Sequence, residues 1–251
     1  MPFEKVEPEK LSAAVTRQIE LFILRGILRP GERLPPEREL AERLAVSRPS
    51  LREAIADLRD KGLLSTKRGA GVYVADVLGS AFSPALVRLF ASYDEALFDA
   101  IAFRRDMEGL AAERAARFGS DTDLAVIDAA FSRMASARPG DEAARDADFH
   151  MAIIEAGNNV ILLHMMRAMY DLLAAGVFYN RQVIFARNTT RAELLRQHAA
   201  MNDALQARDA NAARAAIEAH LDFVSGALVD HIRAEANEQV ARQRLDHDTG
   251  S

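Results

Sequence analysis

Six of the eight prolines, Pro2, Pro8, Pro30, Pro35, Pro36 and Pro49, lie before residue 77, and only Pro84 and Pro139 follow. Proline lacks an amide proton and clashes with the preceding helical turn, so long helices are excluded where it recurs and allowed where it is missing. The chain is thereby divided into a punctuated first third and a remainder free to be almost wholly helical. Windows after residue 84 are rich in Ala, Leu, Arg and Glu, with apolar residues three and four apart. Gly119, Pro139-Gly140 and Gly157 mark breaks, predicting six or seven helices near 84–91, 94–118, 121–137, 142–156, 159–186, 188–207 and 210–240.

Charge follows the same division. The 251 residues carry a net charge of −5, but residues 1–77 hold 14 basic and 12 acidic side chains while the rest hold 18 and 25. A local basic face on an acidic protein is therefore open to the first part. Cysteine is absent, which excludes disulfides and thiolate metal sites and favours an intracellular home. The N-terminus lacks the basic flank and apolar run of a signal peptide, and no stretch approaches the roughly 20 apolar residues of a membrane span. A cytoplasmic protein without membrane contact is expected. The domain expectation is 1–77, a linker at 78–84, a helical domain at 85–242 and a polar tail at 243–251.

In the first part, Leu11, Val15, Ile19, Phe22, Ile23 and Ile27 give one apolar side to a helix from about Pro8 to Leu28, stopped by Arg29-Pro30-Gly31. Pro35-Pro36 opens a short helix over 37–44, proline being tolerated in a first turn. Ala45-Val46-Ser47 reads as a turn, with Ser47 the N-cap of a third helix over 48–60 that ends at Gly62. Residues 63–66, 67–71 and 72–74 then read as strand, tip and strand. This is the order of a winged helix-turn-helix.

A second helix lying in a DNA major groove offers its N-terminal residues to base edges, while amides and short hydroxyls hold phosphates. Ser47, Arg48, Ser50 and Arg52 supply those groups. Arg48 and Arg52, four apart, share a helix face, and a guanidinium forks onto guanine O6 and N7. Arg38 on the preceding helix and Lys67-Arg68 at the wing extend the positive surface, with Gly69 allowing close backbone approach. Between residues 33 and 68 there are nine basic and six acidic side chains. For any single arginine a solvated helix surface is an equal explanation; their joint placement favours DNA.

The run GILRPGERLPPERELAERLAVSRPSLREAIADLRDKGLL followed by RGAGVYV resembles the DNA-binding domain of the GntR family of bacterial transcription regulators, over about residues 8–75. The resemblance implies operator binding as a homodimer on an inverted repeat, with contacts mapping to Arg38, Arg48, Arg52 and the wing around Gly69.

Four groups stand out in the helical part. Asp146 and His150 are four apart and face the same way on one helix. His198 and His220 are each eleven residues from Asp209, the centre of a helical hairpin turn, which puts them at the same height on antiparallel neighbours. Three imidazoles and a carboxylate suit zinc, nickel, manganese or iron. The spacing equally allows an ordinary helical ion pair and two buried, hydrogen-bonded histidines. His164 is expected in the core or behind the site, His231 and His247 in solvent, and Met165, Met166 and Met169 in packing or a dimer surface.

The segments FRRDMEGLAAERAA, DADFHMAIIEAGNNVILLHMMRAMYDLL and QHAAMNDALQARDANAARAAIEAHLDFV resemble the all-helical FCD effector domain of the FadR subfamily, most closely its LldR/GlcC/PdhR branch of lactate-, glycolate- and pyruvate-responsive regulators. The resemblance implies a mainly α protein with a winged helix-turn-helix head and a helical bundle. It implies a divalent metal, zinc foremost, on Asp146, His150, His198 and His220, and a small hydroxy or keto acid as effector. Arg104 matches the arginine of the RxxxE signature and is the candidate for the effector carboxylate, with Arg105 second; the plainer alternative pairs Arg104 with Glu108 on the helix surface. Repression relieved by effector is the expected sign.

A metal-dependent hydrolase on the same Asp and three His is the competing class. HExxH is missing, and no Ser or Glu stands out as nucleophile or general base. An enzyme would also leave the basic head without a role.

Overall fold

The computed structural model describes residues 10–67, 71–76, 83–174 and 188–249. Arg68 and Gly69, most of the expected linker, and the latter part of the helix expected to reach 186 lie outside the described residues, as does the Lys67 side chain. The chain divides into two compact units, Met1–Ala81 and Phe82–Ser251.

The first unit contains α1 (Leu11–Leu24), α2 (Glu37–Arg43), α3 (Arg48–Asp60), β1 (Leu64–Lys67) and β2 (Gly71–Val74). Its core joins Val15, Ile19 and Ile23 of α1 to Leu51, Ile55 and Leu58 of α3, with Leu34, Leu64 and Val74. Helix α1 stops at Leu24, short of the expected Leu28. Gly26 takes a left-handed φ of 71°, and the amides of Ile27 and Leu28 both return to the Phe22 carbonyl, closing the helix end. Ile27, expected on the apolar side, thus lies beyond the helix and is exposed, as is Leu11 at the helix start.

The turn between α2 and α3 passes through Ala45 at φ 51°, and Ser47 caps α3 by accepting the Ser50 amide at 3.3 Å. Strands β1 and β2 pair antiparallel, Leu64 opposite Val74 and Lys67 opposite Gly71. The segment before α2 adds an edge that the sequence had not revealed. Leu34 donates to Val72, Val74 donates to Glu32, and Arg33 bridges Tyr73.

The second unit contains α4 (Pro84–Ser92), α5 (Asp94–Phe118), α6 (Asp121–Ala135), α7 (Glu142–Ala156), α8 (Val160–Ala174), α9 (Asn188–Gln206) and α10 (Ala210–Thr249). Helix α5 runs through the middle, packed by α10 and α7. Its fully buried Ala111, Ala112, Ala115 and Ala116 leave room for close helix approach, and Gly157 passes so near Ala111 that a Cβ would meet its carbonyl oxygen at 3.2 Å. A second cluster gathers Ile154, Leu162, Leu163, Met166, Tyr170 and Leu173 around α8. Met166 and Met169 are buried and Met165 is exposed.

Helix α10 continues past the expected end at 240, through what reads as a polar tail, to Thr249. No proline or glycine interrupts residues 227–249, and pairs such as Arg242–Glu238 at 2.9 Å follow helical spacing. Among the described residues no helix is long and apolar enough to cross a membrane.

Leu51 is fully buried at the crossing of α3 with the rest of the first unit. Leu51→Ala is expected to cost that unit about 2–5 kcal/mol, read as an earlier transition in denaturant melts of the full chain.

Candidate DNA-contacting face and candidate metal centre

Helix α3 carries its polar residues outward as a consequence of burying Leu51, Ala54, Ile55 and Leu58. Arg48 and Arg52 are 56% and 61% exposed, so both remain available to a large partner. Ser47 and Ser50 place their hydroxyls 2.9 Å apart at the helix start. Arg38 is exposed on α2, 4.0 Å from Glu42. Glu37, not singled out in the sequence, lies between Arg48 and Arg52: its Oε2 is 2.8 Å from Arg52 Nε and 3.8 Å from an Arg48 nitrogen. At the hairpin, Gly71 adopts φ 108° and the Arg33 guanidinium crosses it so closely that a Cβ would lie 2.9 Å from Nε.

In the second unit the structure brings Asp146, His150, His198 and His220 together, one ligand atom from each lying within 4.8 Å of all the others, every residue buried. Helix α7 supplies Asp146 and His150 one turn apart. The α9–α10 hairpin supplies the other two, its turn held by Asp209, which accepts the Ala212 amide at 2.9 Å. The rings of His198 and His220 are 4.5 Å apart, as equal distance from the turn requires. Phe149 meets His198 edge to face at 5.5 Å and shuts one side.

Two of the histidines have outer contacts at the ring nitrogen turned away from this point, whereas His198 Nδ1 is buried without a hydrogen-bond partner. His150 Nδ1 is 2.6 Å from Glu108 Oε2, and His220 Nδ1 donates to Gln197 Oε1 at 3.0 Å. Those contacts fix both rings with Nε2 directed at the cluster. His150 Nε2 is 3.2 Å from His198 Nε2, which is 3.1 Å from Asp146 Oδ1; His150 Nε2 is 3.8 Å from the same oxygen. A first-row divalent ion with bonds of about 2.1 Å sets ligand edges of about 3.0–3.4 Å, so Asp146, His150 and His198 stand close to the spacing such an ion needs, while the full set of four, spread over up to 4.8 Å, must draw inward around it.

The electrostatics agree. Burial, opposed by Asp146, lowers the His198 pKa, and burial with the neighbouring imidazoles pushes His220 well below its ordinary value. Neutral imidazole is the form that ligates. Burial alone would raise the Glu108 carboxyl; the Arg104 guanidinium and then His150 override it and hold it at about 2.

Arg104 therefore does pair with Glu108, at 2.6 Å, but in the interior, not on the helix surface. Its other arm donates to the Tyr170 hydroxyl at 2.9 Å, which in turn reaches Glu108 at 3.0 Å. Tyr170 and Gln197 have no counterpart in the sequence analysis. Glu108 enters there only as a surface partner of Arg104, because nothing in an i, i+4 spacing tells an inward face from an outward one. Arg105 is engaged at the helix surface by Asp222 and Glu218. His164 is half-buried on α8, and His231 sits beside Glu235 at 3.3 Å. A cavity of about 10 Å³ reaches His198, lined also by Met134, Glu142, Arg191, Leu194 and Leu195.

Because Glu108 orients His150, Glu108→Gln is expected to weaken divalent-metal binding about 10- to 100-fold, measured by competition with a chromogenic chelator.

Comparison with known proteins agrees with both halves. Residues 11–74 match the bacterial regulatory proteins of the gntR family, and residues 99–223 match the FCD domain. The chain is 35% identical over 223 residues to an L-lactate dehydrogenase operon regulatory protein of Escherichia coli (strain K12), covering 87% of this chain and 86% of that protein. It is 30% identical over 233 residues to the Glc operon transcriptional activator of the same strain, covering 90% and 92%. Among solved structures, the Streptococcus agalactiae GntR protein superposes with a TM-score of 0.50 at 20% identity, over 86% of this chain and 98% of that one, a likeness of fold. With a helix-turn-helix head and an FCD domain joined in one chain, the protein belongs to the FadR-type branch of the GntR family and is a transcription regulator, not an enzyme.

Proposed function

We propose that the protein binds an inverted-repeat operator as a cytoplasmic homodimer, and that a small 2-hydroxy or 2-oxo carboxylate, bound at a metal site in the helical unit, controls its operator affinity. The observation that carries the reading is the buried convergence of Asp146, His150, His198 and His220 with their outer partners Glu108 and Gln197. A divalent ion held there, zinc foremost with nickel, manganese or iron as alternatives, would supply a Lewis acid that an α-oxygenated acid chelates through two oxygens. One relative's name refers to the L-lactate dehydrogenase operon, which supports an acid of the lactate, glycolate or pyruvate class.

The chain's own groups then have these tasks. Glu108 and Gln197 hold two imidazoles in register. Arg104, joined to His150 through Glu108, is the candidate cation for the effector's remaining carboxylate oxygen, and Arg105 the second candidate. On the head, Arg48 and Arg52 read base edges, while Arg38, Ser47, Ser50 and the wing residues Lys67, Arg68 and Gly69 hold the backbone.

The cavity at His198 has room for about one water. A three-carbon acid is larger than this space, so its entry by that route would couple occupancy to movement of the surrounding side chains and helices. Carried through each subunit, that movement changes the separation of the two α3 helices, and operator affinity depends on matching half-site spacing. Release of repression is the sign proposed.

Lactate, glycolate and pyruvate titrated into the operator-bound protein at fixed salt are expected to lower DNA affinity with the metal-loaded protein and to lose the effect after chelation. If no such acid changes DNA binding in the loaded protein, the effector reading fails.

A further inference from the structure

Glu37 is an acidic side chain inside a surface otherwise suited to a polyanion. It occupies the first turn of α2, where a helix N-terminus favours a carboxylate, and is only about one-third exposed. One of its oxygens serves both recognition arginines, 2.8 Å from Arg52 Nε and 3.8 Å from Arg48. The other acidic residue in that turn, Glu39, pairs instead with Arg43 and touches neither of them.

We infer that Glu37 is a specificity-determining residue of the DNA-contacting face: it positions the Arg48 and Arg52 guanidinia for base edges and penalises their use as phosphate clamps. The inference rests on the reading of those arginines as base contacts. Arginine side chains are long and rich in rotamers, and two of them one turn apart on an exposed helix would otherwise sample phosphates and bases alike. A shared carboxylate restricts both to a fan in front of α3. It also removes one unit of positive charge from the patch, and non-specific affinity is almost wholly electrostatic. Guanine O6 and N7 match a guanidinium fork as the two free oxygens of a phosphate do, so the preference for bases rests on the direction and charge that Glu37 imposes and not on the number of acceptors.

The test uses the full chain, a duplex enriched by the wild-type protein from a random-sequence pool, and an unselected random duplex of equal length, across a salt series. For Glu37→Gln, affinity for the random duplex is expected to rise, its salt dependence to steepen by up to about 0.9 in log–log slope, and the ratio of random to selected Kd to fall about tenfold. Glu39→Gln makes the same charge change without touching Arg48 or Arg52, so it is expected to leave the ratio near wild type. An unchanged ratio in Glu37→Gln, equal losses on both duplexes, or an equal fall in Glu39→Gln overturns the inference. Arg52→Ala separates the two levels. If it preserves the ratio, the base-reading assignment itself fails; if it lowers the ratio while Glu37→Gln does not, only the role of Glu37 fails.

Discussion

The ion pair of Arg104 and Glu108, sealed from water inside the helical unit, is the constraint around which that unit is organised. Two charges in a low-dielectric interior persist only when their remaining donors and acceptors are met, and removing one partner costs about 3–5 kcal/mol. Here the demand is met by Tyr170 on α8 and His150 on α7, so α5, α7 and α8 are tied through polar contacts as well as apolar ones. The orientation of His150 is a by-product of satisfying Glu108. Through His150 the constraint reaches His198 and Asp146, and the hairpin turn at Asp209 brings His220 into the same group.

The head solves a different problem. A short unit with two strands has little apolar area to spare, so α1 and α3 share one core and the segment before α2 closes the sheet edge. Burying four residues of α3 leaves its first turns facing out. The exposure of Arg48 and Arg52 thus follows from packing on the opposite face of the same helix.

Much of this was legible in the sequence, for physical reasons that vary from residue to residue. Proline spacing separated the units, Ser47 and Gly62 announced the ends of α3, and equal chain distances from Asp209 placed His198 beside His220. What could not be read were contacts between elements distant in sequence. Glu108 and Tyr170 are 62 residues apart, and nothing local to either predicts their bond. Gln197 gave no signal, because a glutamine beside a histidine in the chain faces a different side of the helix. Helix α1 ends before the expected stop at Arg29-Pro30-Gly31 because Gly26, at a left-handed φ of 71°, closes it first. Helix α10 outruns its expected end at 240 because alanine, glutamate and arginine sustain helix in water-facing positions.

That last helix has a consequence for how the molecule ages. From Arg233 to Leu245 its side chains face solvent, and the backbone from Arg233 to Thr249 extends about 25 Å at 1.5 Å per residue. An isolated helix of such length is marginal in water, held only by its own hydrogen bonds and a few ion pairs. Fraying thus begins at this end and travels inward until it meets the buried Leu228, eight residues beyond His220. Trimming by proteases would shorten the chain to that point while leaving every group of the cluster in place.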